Sequence, residues 1–265
     1  MDDTYQVYVN RVAHMTLSDA YKAQVQYIQS SPKFIPDGND GFQVVPFPGY
    51  SVITPPWGED SSNADFYKQV QACQRELVKA LPEGFFIPLP AESFHMTLAD
   101  LIWNDAYRHA LKVNEDFERR LQQSIDQIFQ RCEPLVQGAD PVTWQVIGLL
   151  VMPRAIALGL APKAERSYAR VTELRRSLYQ NIELINLGVE QQYHLTGHIT
   201  LGYFGDISKL PDANTFSAII SELNQPWIEN EIPQEIHVHR AELRKFENMM
   251  QYNRENDWPV LSFDA

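Results

Sequence analysis

The sequence predicts an α+β protein with an internally duplicated, two-lobe fold, each lobe a small, mainly antiparallel sheet covered by helices, with a cleft between the lobes. Three observations predict it. Apolar residues recur at steps of three and four in some segments and at steps of two in others, the periods of half-buried helices and strands. These segments alternate, and their order from Tyr50 is repeated from Ala155. A tripeptide, His-x-Thr, occupies matching places in the two halves, at His95 to Thr97 and at His198 to Thr200.

Residues 1–42 precede the duplication and form an extension with one expected helix, Ser18 to Ser30, ended at Ser31-Pro32 because a residue before proline is pushed out of the α region. Val45-Pro46-Phe47-Pro48-Gly49 then reads as an extended entry into the first strand. Residues 63–81 carry Phe66, Val70, Cys73, Leu77 and Leu81 on one helical face. Residues 115–132 repeat that pattern with Phe117, Leu121, Ile125, Ile128 and Cys132, and residues 164–185 with Tyr168, Val171, Leu178, Ile182 and Ile185. A shorter helix is expected around Phe216, Ile219, Ile220 and Leu223. Period-two segments at 94–99, 142–150, 155–161, 194–204 and 235–245 predict strands. The lobes are expected at 43–152 and 153–265, packed on each other because no low-complexity linker separates them.

Composition narrows the function. The 265 residues include 22 Lys plus Arg against 34 Asp plus Glu, a net charge of −12, which argues against long nucleic acid or an anionic membrane surface as the main partner. The most continuous apolar run, Val146 to Ala161, is interrupted by Pro153 and Arg154 and falls short of the roughly 20 residues that span a bilayer. The opening MDDTYQVYVNR has no basic stretch followed by an apolar one, so no secretory leader is expected. Cys73 and Cys132 fit the reducing cytoplasm, as small buried hydrophobes on helical faces.

In a strand, residues i and i+2 share a face, so His95 and Thr97 project together while Phe94, Met96 and Leu98 turn into a core. The same holds for His198 and Thr200 against Ile199 and Leu201. If the two faces meet across a cleft, they suit transfer at a phosphodiester. One neutral imidazole takes a proton from the nucleophile while the other, as imidazolium, gives one to the leaving oxygen. The two hydroxyls donate to non-bridging phosphate oxygens. This scheme requires no metal and no cofactor. On the segment Ala155 to Ala161, the small residues Ala155, Ala157, Gly159 and Ala161 share one face, which either leaves room for a ligand or packs closely.

The paired His-x-Thr elements, each followed by an apolar residue within a duplicated α+β half, resemble the two-histidine (2H) phosphoesterase superfamily, which includes cyclic phosphodiesterases and 2′-5′ RNA ligase-like proteins. Ser31-Pro32-Lys33-Phe34, Pro36-Asp37-Gly38 and Val45-Pro46-Phe47-Pro48-Gly49 are similar to a little-characterised bacterial branch of it. The resemblance covers about residues 43–250 and implies that His95 and His198 are the catalytic pair and Thr97 and Thr200 the phosphate contacts. It implies hydrolysis of a cyclic phosphodiester on a small nucleotide or RNA end.

Other residues bear on this scheme. His14-Met15-Thr16-Leu17 is a third copy of the tripeptide, but it precedes a helical pattern and reads as incidental, with Thr16 or Ser18 as an N-cap. His194 lies too far along a strand to share a ligand with His198, and His109 reads as a surface residue. His237 and His239 can share a strand face and give an alternative, a metallohydrolase. Trp57 and Tyr252 are candidates to stack on a nucleobase, and Arg154 to reach a phosphate. Binding of a phosphorylated nucleotide without turnover and RNA ligation are the remaining alternatives.

Overall fold

A computed structural model describes residues 2–38, 41–229 and 234–264. The extension holds helices α1 (Tyr5–His14) and α2 (Ser18–Gln24) and a ribbon of strands β1 (Phe34–Pro36) and β2 (Phe42–Val44). Next come β3 (Gly49–Ile53), α3 (Ala64–Ala80), β4 (Phe86–Pro88), β5 (Thr97–Trp103), α4 (Asn104–Val113), α5 (Phe117–Val136) and β6 (Thr143–Val151). The second series is β7 (Ala155–Pro162), α6 (Glu165–Tyr179), α7 (Ile182–Asn186), β8 (His198–Phe204) and α8 (Ala213–Ile228). It closes with β9 (Glu235–His237), β10 (Arg240–Asn248), β11 (Gln251–Asn253) and β12 (Val260–Ser262). Among the described residues no helix is long and apolar enough to cross a membrane.

The fold is α+β with two antiparallel five-stranded sheets. One has the order β11-β10-β3-β5, with β12 also on β10, and the other the order β4-β8-β7-β6-β9. The sheets are therefore not the sequence segments 43–152 and 153–265. The boundary at 152/153 falls in the short turn between β6 and β7, which pair with each other along their length. In exchange, β10 crosses to pair with β3 and β4 pairs with β8. The physical reason is that neighbouring strands with a tight connection pair most easily, and the period of a strand does not specify its partner. The alternating run 235–245 is likewise divided: β9 belongs to the second sheet and β10 to the first, and the chain crosses at Val238-His239.

Most helices lie where the periodicity places them, with Phe66, Val70 and Leu77 of α3 and Leu121, Ile125 and Cys132 of α5 buried. Cys73 is only half-buried, because the adjacent Gln74 takes the inward position and donates to the backbone oxygens of Leu89 and Leu201. The helix expected over 164–185 breaks at Gln180-Asn181, where the Asn181 side chain accepts from the Glu183 and Leu184 amides and restarts the chain as α7, leaving Ile182 and Ile185 exposed. The helix expected over 18–30 ends at Gln24 and tightens into a 3-10 turn over Val25–Tyr27. Leu17 rather than Thr16 or Ser18 precedes α2, and His14 is the exposed last residue of α1. Helix α1 itself is hidden in the sequence, since Tyr5, Val7 and Val9 alternate while only Tyr8 and Val12 follow a helical step and are buried.

The small residues of β7 serve packing. The strand is buried along its whole length, and a Cβ at Gly159 would sit 2.8 Å from Leu150 Cγ on the paired strand.

Candidate active site

The two His-x-Thr segments belong to different sheets, β5 in one and β8 in the other, and both face a single cavity of about 330 Å³. His95, Thr97, His198 and Thr200 all line it. The opposite faces are core: Phe94, Met96, Leu98, Ile199 and Leu201 are buried. His95 lies just ahead of β5, where the chain is held by a mutual pair of bonds, Thr54 N to Met96 O and Met96 N to Thr54 Oγ1, each 2.9 Å.

The two imidazoles are anchored identically. His95 Nδ1 lies 2.7 Å from Ser93 O, and His198 Nδ1 lies 2.6 Å from Thr196 O, in each case the carbonyl two residues earlier. A carbonyl only accepts, so each Nδ1 carries the hydrogen, which leaves each Nε2 as the ring nitrogen with a free lone pair in the neutral imidazole. Burial pushes the His95 imidazole down to about 4, partly offset by the Ser93 carbonyl, with the charges of His198 and Arg244 acting in the same direction as burial. Burial also lowers His198, while the Thr196 carbonyl and the Asp100 carboxylate favour its protonated form. Both rings are thus neutral near pH 7 until an anion enters.

A shared irregularity completes the cavity. In the pairing of β3 with β5, Ile53 faces Thr97 and Val52 faces Ala99, so Leu98 is an extra residue; Ser51 then faces Asp100 and Tyr50 faces Ile102, so Leu101 between them is a second one. In the pairing of β7 with β8, Ala157 faces Thr200 and Ile156 faces Gly202, so Leu201 is extra. A bulge therefore follows the threonine in both halves, and it turns the third residue after each threonine back to the cavity. Those residues are Asp100 and Tyr203. Strict alternation would have placed both with the core, which is why the sequence reading missed them. The burial of β5 shows the result, with Thr97, Asp100 and Trp103 more open than the residues between them.

Sequence reasoning also missed Lys33, from the extension, and the aromatic pair Trp103 and Tyr193, whose rings stack with centroids 6.5 Å apart at the cavity wall. Asp100 accepts from Ser51 Oγ at 3.3 Å. Arg154 does line the cavity. Tyr252 reaches it as well, but packed edge-on to His95, with ring centroids 4.2 Å apart. Trp57 does not line it: its ring stacks on Tyr67 and its amide donates to Phe94 O at 2.8 Å, on the core side of the histidine segment. His194 is exposed beside Asp3, and His109 is exposed on α4. The His237 and His239 rings are 5.9 Å apart, with His237 Nε2 3.3 Å from Asp264. Among the described residues no group of three or more His, Cys, Asp or Glu side chains is arranged to hold a metal.

The lead into His198 is fixed by the extension. Tyr8 OH donates to Leu160 O and accepts from Gly197 N, both at 2.8 Å. Arg11 donates to Thr196 Oγ1 at 2.9 Å and to Leu195 O at 2.6 Å, and Asp2 accepts from Leu195 N at 2.7 Å. Arg175 is buried against Asp2 and donates to Leu98 O at 2.7 Å, so one guanidinium ties the extension to the bulge of the other sheet.

No family model and no curated relative matches the sequence. Solved structures do match in fold. A conserved protein of unknown function from Agrobacterium tumefaciens, ATU0111, is 16% identical, with 88% of this chain and 91% of that one covered and a TM-score of 0.53. LigT of E. coli, solved with 3′-AMP, is 15% identical over 81% of this chain and 98% of its own, with a TM-score of 0.45. TT0787 of Thermus thermophilus is 13% identical over 81% and 97%, also with a TM-score of 0.45. Over nearly its whole length, then, the chain has the fold of the Agrobacterium protein, and its two histidine strands meet at one cavity within that fold.

Proposed function

We propose that the chain is a phosphoesterase of the two-histidine superfamily that hydrolyses a cyclic phosphodiester, 2′,3′-cyclic or similar, on a small nucleotide or RNA end. The observation that carries this reading is the pair of equivalently anchored imidazoles, each with its Nε2 available to a ligand, in one cavity with two hydroxyls. In the reaction, the neutral imidazole takes a proton from water, the water oxygen bonds to phosphorus, and the P–O bond to the ribose oxygen breaks. That oxygen receives the proton of the other imidazole, so one water is consumed and both histidines end with their protonation states exchanged. The Thr97 and Thr200 hydroxyls donate to the non-bridging oxygens, where negative charge must be held in the transition state.

The neutrality of both rings in the free protein does not oppose this step. A bound phosphodiester brings a negative charge next to the two imidazoles, favours the protonated form of one, and leaves the other as base. A cavity of about 330 Å³ suits a nucleotide or a strand end, since small-molecule sites begin at roughly 300 Å³. The cytoplasm fits the free thiols of Cys73 and Cys132.

The test is a panel of 2′,3′-cyclic nucleotides and short RNAs with cyclic ends, incubated with the protein in EDTA and followed by phosphorus NMR. Ring opening is expected, with His95→Ala and His198→Ala each lowering the rate by about 10²- to 10⁴-fold. Turnover that survives both substitutions, or that EDTA abolishes, refutes the two-histidine mechanism.

A further inference from the structure

The cavity holds two cations that lie outside the paired His-x-Thr segments, Lys33 and Arg154. Lys33 comes from the extension, on a segment laid along the end of β8: Ser31 N donates to Phe204 O at 2.8 Å, and Lys33 O accepts from Val45 N at 2.9 Å. Its Nζ lies 3.2 Å from the Tyr203 hydroxyl and 3.1 Å from Met249 Sδ, and 4.7 and 4.9 Å from the ring centroids of Phe47 and Tyr203. All of these neighbours are neutral. Arg154, exposed ahead of β7, donates to Gln29 Oε1 at 3.2 Å. Among the described residues neither cation makes an ion pair, in a chain whose acidic groups outnumber its basic ones by 34 to 22.

Their position is set by the register of the strands. Tyr203, which holds Lys33, pairs with Ala155 next to Arg154, while Thr200 pairs with Ala157. Both cations thus enter the cavity from the far end of β8, where Tyr203 is about 10 Å along the strand from Thr200, and the charge of Lys33 also reaches His198, whose protonated form it disfavours. The cavity's carboxylate, Asp100, stands on β5 of the other sheet, where it disfavours a second anion. An ammonium held by aromatic faces and a thioether keeps its charge available to a ligand and is already oriented for it.

The geometry points to a second anion site at Lys33 and Arg154: the substrate carries a phosphate monoester in addition to the diester that the histidines open. The location of the diester rests on the function proposed above; the second site stands on Lys33 and Arg154. A monoester bears about two negative charges and three acceptor oxygens, which suits one ammonium and one guanidinium.

The test pairs binding with turnover. Calorimetric titration of wild type, Lys33→Met and Arg154→Gln with adenosine 3′-monophosphate and adenosine 3′,5′-bisphosphate measures the second site without chemistry. Values of kcat/KM for adenosine 2′,3′-cyclic phosphate with and without a 5′-phosphate measure it during turnover. Wild type is expected to favour the doubly phosphorylated member of each pair by about tenfold or more, and Lys33→Met to bring that ratio to within about threefold of one. Arg154→Gln should lower it part of the way. Equal binding of the two ligands by wild type, or a preference that survives both substitutions combined, overturns the proposal. If neither cyclic substrate is opened while the bisphosphate preference is present and lost in Lys33→Met, the second site is supported and the diesterase reading fails.

Discussion

Replacing His95 by glutamine should change how the protein responds to acid more than how stable it is at neutral pH. An unfolded imidazole takes up a proton near 6.5, whereas burial holds His95 neutral down to about 4. Between these values the unfolded chain binds one proton more than the folded one, so stability falls as pH falls. The contribution is complete above about 6.5, is lost progressively below it, and is exhausted near 4. Each pH step in that window costs about 1.4 kcal/mol, so at pH 4.5 the wild type has lost about 2–3 kcal/mol through this group alone. Glutamine cannot titrate, yet its amide can still donate to the Ser93 carbonyl. Guanidinium unfolding of both proteins at pH 7.5 and 4.5 separates this effect from the carboxylates, which change equally in both. The variant should gain about 2–3 kcal/mol relative to wild type at the lower pH. Parallel losses in the two proteins, or a His95 ring that titrates near 6.5 by NMR, would refute the reasoning.

Three further outcomes follow from the same geometry. Since burial lowers both imidazoles in the free protein and the reaction needs one protonated and one neutral, the bell in kcat/KM should centre on the acid side of 6.5; an optimum at 7.5 or above contradicts the assignment. Tyr8→Phe leaves Gly197 N without its acceptor and Leu160 O without its hydroxyl donor, and should cost about 1–3 kcal/mol in a denaturant melt, with a loss under 0.5 kcal/mol counting against it. In Gly197→Ala the new methyl would meet the buried Trp144 ring at 2.7 Å, beside His198, so about 1–3 kcal/mol of stability and part of the turnover should go together; unchanged melting would show that the strand can yield.

Much of this molecule is written in short-range pattern. The helical faces of α3 and α5, the strands β6, β7 and β8, and the paired His-x-Thr segments are legible because period two or period three-to-four follows directly from local backbone geometry. The same alternation correctly turned Phe94, Met96 and Leu98 inward and His95 and Thr97 outward. It failed one residue later. Leu98 and Leu201 are bulges that exist only against the partner strands β3 and β7, and they bring Asp100 and Tyr203 into the cavity against the local pattern.

The fold class, the near-repeat and the facing of His95, Thr97, His198 and Thr200 toward one cavity side of their strands are legible in the chain alone, since each depends on a period set over a few neighbouring residues. Tertiary structure decided which strands share a sheet, because pairing energy depends on partners that a strand's own period does not name. It also decided that Lys33 joins the site, that Trp57 turns to Tyr67, and that the extension clamps the approach to His198. These are contacts between residues as far apart as Tyr8 and Gly197, set by how the packed elements meet.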